Sequence, residues 1–333
     1  MNETPPEQKP LKTWSALSGN RRRPSEYEVV STKLHYHTIN KEKPWELDPN
    51  IPMADWYRQY CYGSPLQHDD WDSFRDPDEM IYRTYNIIQD GQENYVTGLF
   101  DQFNDRGHDE MLESDWVDFL ARSYTPSRYL LHALQMGASY VHQMAPASTI
   151  TNCATYTTAD QLRWLTHTAY RTRELANTYA DRGFGENERD IWESDPRWQG
   201  FRELAERALT AWDWAESFTA FLLVVKPAVE EALLTQLGEL ARANNDTLLG
   251  LLTQAQMRDA ERHRRWSSAL VKMTLEVDGN RAVFERWLEQ WVPLAEAGVV
   301  AYCEAFPSEG SAAAATANAA AAEFRASTGL GSA

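Results

Sequence analysis

The chain has 333 residues, 43% hydrophobic and 12% aromatic, enough for one large core or two ordinary domains. A net charge of −17 argues against nucleic acid and anionic membrane surfaces as partners. No run approaches the roughly 18 apolar residues that span a bilayer. MNETPPEQKP lacks the basic-then-apolar order of a signal peptide, and Cys61, Cys153 and Cys303 form no CxxC pair, so a reducing cytoplasm is the expected location. The 13 Trp and 15 Tyr suit either extensive protein contact or a large aromatic core.

Residues 1–60 are rich in proline, which breaks helix repeatedly, and interleave it with Trp14, Tyr27, Tyr36, Trp45, Trp56 and Tyr57. Such a segment is expected as an extended, non-helical arm that lies across another surface, with a short strand possible in 27–38. Arg21, Arg22 and Arg23 are its one strong basic run, suited equally to a solvated turn or to a carboxylate-rich partner. Trp14, Arg21, Arg22, Arg23, Tyr27, Tyr36 and Trp45 are the candidate partner contacts.

From Asp76 the pattern is helical. Asp76 and Pro77 form a start signal, followed by Ile81, Tyr85, Ile88, Tyr95, Leu99 and Phe103 at helical spacing. Further helices are expected over 113–123, from Pro126 to Pro146, over 157–180 and over 194–225. Pro227 should interrupt before a helix from 228, and two more follow over 247–276 and 280–306. Glu203, Glu206, Glu230 and Glu231 are expected on solvated faces. Residues 307–333 are low in large apolar side chains and are expected as a peripheral, alanine-rich tail. The pattern as a whole predicts an all-α domain over 61–306.

DAERHRRW, 259–266, resembles half of a carboxylate-bridged di-iron site, which uses Glu and His three residues apart on one helix. Glu261 and His263 are two apart, about 200° around the helix axis, and cannot serve one ion. His263 shares a face with Leu252, Ala260, Ser267 and Leu270, as a hydrogen-bonded core residue would. None of the eight histidines has Glu three positions earlier, and only Asp105 before His108 supplies a carboxylate there. P-loop, GxSxG, HExxH and strand-linked GxGxxG motifs are absent. Nothing around Cys153 marks an activated thiol.

Several long blocks carry a family resemblance: KTWSALSGNRRRPSEYEVVS (12–31), PWELDP (44–49), YRTYNIIQDGQENYV (82–96) and FDQFNDRGHDEM (100–111). Others are ALQMGASYVHQMAPASTITNCA (133–154), ADQLRWLTHTAYRTRELA (159–176) and RDAERHRRWSSALVKM (258–273). Up to about residue 306 the chain resembles the β subunits of bacterial multicomponent monooxygenase hydroxylases, of the toluene/o-xylene group. The resemblance implies a ferritin-like long-helix bundle that lacks the di-iron ligands. It implies no cofactor in this chain and a di-iron centre in a related α subunit, within an (αβγ)2 hydroxylase. A regulatory protein, a Rieske ferredoxin and an NADH reductase complete the implied system.

The α subunit's metal motifs have the form D-E-x-R-H. In DQLRW, Gln161 stands at the Glu position and Trp164 at the His position; in DAERH, Ala260 replaces Glu and His263 is kept. The remaining ligand positions fall near Leu131 and Ala215. Emptying a dry pocket of metal should also remove its carboxylates, because unneutralised buried charge is costly. Trp164 should then point inward and fill the space, and Gln161 should keep a neutral hydrogen-bonding group. The alternatives are a β subunit of a phenol, alkene or methane monooxygenase, or a self-sufficient di-iron oxidase or ferritin.

Overall fold

The computed structural model describes residues 24–32, 34 and 51–331, and every regular element among them is helical. α1, Glu26–Ser31, begins with a reciprocal capping box between Ser25 and Glu28. That local pairing makes helix of a stretch expected as strand. Pro52 opens α2, Pro52–Tyr57, which continues through the π-helical turn Arg58–Tyr62. The non-helical character expected of the arm therefore fails for 26–31 and 52–62.

α3, Tyr82–Asp105, begins later than expected. Asp76 instead fixes a turn, its carboxylate accepting from the N–H groups of Asp78 and Met80. The buried stripe of α3 is Tyr85, Gln89, Val96, Leu99 and Phe100, while Ile88 and Tyr95 stay exposed. α4, Ser114–Ser123, and α5, Ser127–Met144, follow the expected pattern.

α6, Ser148–Thr178, starts well before residue 157. Its early threonines do not break it, because Thr155, Thr157 and Thr158 donate back to the carbonyls of Thr151, Cys153 and Ala154.

After α7, Glu188–Ser194, and α8, Pro196–Ala208, the expected helix over 194–225 breaks at 209–213. Asp213 then caps a new helix by accepting from the N–H groups of Ala215 and Glu216. This helix, α9, spans residues 214–243 and contains two π-helical stretches, Thr219–Val225 and Glu230–Gln236. Pro227 does not end it. The first π-helical stretch loosens the i to i−4 bonding that a proline would otherwise break. α10, Thr247–Thr274, is capped by Asp246, whose side chain accepts from Leu249 N–H at 3.0 Å. α11 is Asn280–Cys303 and α12 is Gly310–Ser327.

α5, α6, α9 and α10 form the central bundle, with α3 along α10 and bonded to α6 through Tyr85 and Gln89, and α8 paired with α11 outside it. α8 and α11 cross at Gly200 and Gly298, where a Cβ on Gly200 would lie 2.7 Å from the Gly298 Cα. Trp164, Trp198, Trp214 and Trp266 are all buried, so much of the aromatic excess belongs to the core.

The alanine-rich stretch is no loose periphery. α12 docks on α11 and α9 with Ala314, Ala317, Ala321 and Arg325 buried. Small side chains let its backbone approach closely, so it needs few large apolar residues. No helix among the described residues is long and apolar enough to cross a membrane.

Candidate functional site

α6 and α10 set the two degenerate motifs face to face. Asp160, fully buried, accepts from Tyr85 Oη at 2.9 Å, Gln89 Nε2 at 2.9 Å and Arg163 Nη1 at 3.2 Å. It also takes Arg262 of α10, and His263 Nε2 lies 2.7 Å from its Oδ2. Asp259, across the pocket, accepts from Gln89 Nε2 at 3.0 Å, Arg163 Nη1 at 3.1 Å and Trp164 Nε1 at 3.1 Å. Each aspartate thus holds the residue at the other motif's histidine position.

Burial pushes the Asp160 carboxyl up, against the pull of Arg262. Burial holds the His263 imidazole well below its ordinary value, with Lys226 and Arg262 adding to the effect. His263 is therefore a neutral ring whose Nε2–H serves Asp160.

The four degenerate positions lie together and inside. Trp164, Gln161 and Ala260 have no exposure and His263 has 2%, with Leu131 of α5 also buried. Trp164 fills the pocket, 6.1 Å from the His263 ring centroid. Gln161 departs from expectation, since neither its amide oxygen nor its nitrogen has a protein partner.

Ala215 is not the α9 residue that reaches this place; it sits in the first turn of α9, beside the Asp213 cap. Lys226 reaches it. Its ammonium lies 5.1 Å over the Trp164 ring and pairs with Glu230. A desolvated contact of that kind is worth about 2 kcal/mol. Arg264 of α10 binds Glu230 at 2.8 Å and Glu231 at 2.9 Å. Glu230 and Glu231 are thus buried ion-pair partners, and only Glu203 and Glu206 sit on the solvated face expected for all four. Burial pulls the Lys226 ammonium well below its ordinary range, and Arg264 adds to this. A lone lysine within AFLLVVKPAV, with Glu four residues on, was the signal for this pair.

At the rim, Glu93 of α3 takes Arg163 at 2.6 Å and His167 at 3.0 Å. Its carboxyl is lowered to about 2, first by the bond from His167. His108, the histidine with a carboxylate three residues earlier, turns instead to Asp246, 3.2 Å away. Cys153 is buried, which pushes its thiol up.

The pocket's donors do not suit two irons. Trp164 and Ala260 offer no ligand atom and Gln161 offers a neutral amide, so His263, whose Nδ1 has no protein partner while Nε2 meets Asp160, is the one position of the four that keeps an imidazole ligand atom. Lys226 adds a positive charge where a metal would need negative ones. Of the candidate partner contacts, Tyr27 is buried within its own chain, its hydroxyl accepting from Asp76 N–H at 3.0 Å, so it does not face a partner. Trp14, Arg21, Arg22, Arg23, Tyr36 and Trp45 lie outside the described residues.

A profile of methane/phenol/alkene hydroxylases matches residues 52–278, the span that builds this pocket. The chain belongs to that hydroxylase family. It is 57% identical, over 90% of its length and 92% of the relative's, to the toluene-4-monooxygenase hydroxylase subunit beta of Ectopseudomonas mendocina. Identity falls to 26% for the propane 2-monooxygenase hydroxylase small subunit of a Gordonia species, over 68% of this chain and 63% of that one. A solved chain of toluene 4-monooxygenase with toluene bound superposes with TM-score 0.85 and 57% identity, covering 89% of this chain and 97% of that one. A chain of phenol hydroxylase from Pseudomonas sp. OX1 superposes at 0.83 with 18% identity, covering 99% of each, and shares the fold.

Proposed function

We propose that this chain is the non-catalytic β subunit of an aromatic monooxygenase hydroxylase. The observation that carries this reading is the 57% identity over nine-tenths of the chain to a toluene-4-monooxygenase β subunit, against 26% for the propane enzyme's small subunit. The pocket supports it. A chain that activated O2 would need metal ligands where Trp164 and Ala260 stand and would not bring the Lys226 ammonium beside them.

In the assembled enzyme, an (αβγ)2 hydroxylase in the cytoplasm, the α subunit holds the di-iron centre and the substrate. With electrons from NADH, passed through a reductase and a Rieske ferredoxin, one oxygen of O2 enters an aromatic ring and the other leaves as water. A regulatory protein completes the system. This chain contributes a rigid helical partner whose interior needs no metal, and residues 1–50 contribute to the grip on α.

Co-expression with candidate α and γ chains tests the reading. The chain should purify with both in equal ratio, and the reconstituted system should hydroxylate toluene faster than phenol or propane. Purification without a larger hydroxylase chain, or activity on propane alone, would overturn it. Removing residues 1–50 should weaken α association more than it lowers the melting temperature of the chain itself.

A further inference from the structure

We propose that Lys226 is the pocket's built-in cation: paired with Glu230, its ammonium supplies positive charge that a bound metal would otherwise bring to the carboxylates between α6, α9 and α10.

Three carboxylates line the interior, Asp160, Asp259 and Glu230, with side chains between 0% and 4% exposed. Three cations answer them. Arg163 and Arg262 bridge Asp160 and Asp259, and Lys226 pairs with Glu230. The interior sum is zero with His263 neutral. Arg264 and Glu231 add one charge of each sign at the edge, and the half-exposed Glu93 beside Arg163 at the rim lies outside this interior sum.

The position of Lys226 is costly on local grounds. It sits in the apolar run AFLLVVKPAV, 3% exposed, and a buried ammonium without compensation is strongly unfavourable. A structural salt bridge on that helix would be cheaper at the surface. Instead the lysine lies between the two π-helical stretches of α9, features that recur at functional sites. Its ammonium enters the space bounded by Trp164 and His263, two of the four degenerate ligand positions. Charge balance across the pocket, beyond the single pair, is the inferred role.

The test uses the full-length chain with Lys226→Met, Glu230→Gln and the double variant, followed by thermal unfolding. Lys226→Met leaves one excess negative charge, so it should melt well below the parent at pH 7.5. The double variant restores the balance and should recover most of the loss. If Lys226→Met melts with the parent, or if Glu230→Gln adds to the loss, the proposal is wrong. Should Lys226→Met not fold, a folded double variant upholds the proposal and an unfolded one overturns it.

Discussion

The two halves of the pocket share one frame and met different fates. On α6 the frame is Asp160, Gln161, Arg163 and Trp164; on α10 it is Asp259, Ala260, Arg262 and His263. The Asp and Arg members stand in matching roles, each aspartate bonded to the opposing helix. The Glu and His positions differ, filled by an amide and an indole on one side and by a methyl and an imidazole on the other. The outer members form a closed ion-pair network that is satisfied without metal. The inner members had no such support, and a carboxylate there would be an unpaired buried charge.

The comparison is sharpest at the aspartates. Asp160 holds Tyr85, Arg262 and His263, and removing it leaves the buried Arg262 guanidinium only a 3.4 Å contact with Asp259. Asp160→Ala should cost about 3–5 kcal/mol in denaturant unfolding, and more than Asp259→Ala. Equal costs would break the asymmetry. Trp164→Ala should cost about 3–5 kcal/mol by opening a cavity where the indole now packs. A loss near zero would mean that the pocket collapses freely and that Trp164 fills nothing.

Glu93 gives a pH signature. Its folded carboxyl is lowered from 4.5 to about 2, so it contributes stability that is present above pH 4.5 and lost as pH falls toward 2. Glu93→Gln should lower the melting temperature at pH 7 and converge with the parent at the acid end of that window. With a side chain 45% exposed, solvent screens the effect and keeps it modest. A pH-independent gap would remove the ion pair from the account. The smallest effect has the opposite sign. Gln161 buries an amide with no partner, so Gln161→Leu should be neutral or stabilising by about 1 kcal/mol. Clear destabilisation would show that the amide has a partner.

Helix content was legible because apolar periodicity and capping residues report it directly, as α4 and α5 illustrate. The errors came from local chemistry that periodicity does not carry. Asp76 bonds to a turn rather than to a helix start. Asp213 restarts a helix inside a run that looked continuous, and Pro227 is tolerated because π-helical bonding precedes it. Alanine spacing in α12 packs by closeness, which a count of large apolar residues misses.

At the site, the inward Trp164 and the paired His263 followed from the motif frame. Lys226 did not, because the aromatic start of α9 points to Ala215, and the π-helical stretch Thr219–Val225 separates simple spacing from the true geometry. The solvated reading of Glu230 and Glu231 failed because Arg264, which binds both, faces them only across the folded bundle.

The most direct test of the central claim is elemental analysis of the full-length chain, expressed alone in iron-replete cells and purified without chelators. The expected result is no stoichiometric iron, because Trp164 and Ala260 offer no ligand atom and Lys226 brings a cation into the same pocket. About two irons per chain, as a carboxylate-bridged bundle would hold, would contradict it.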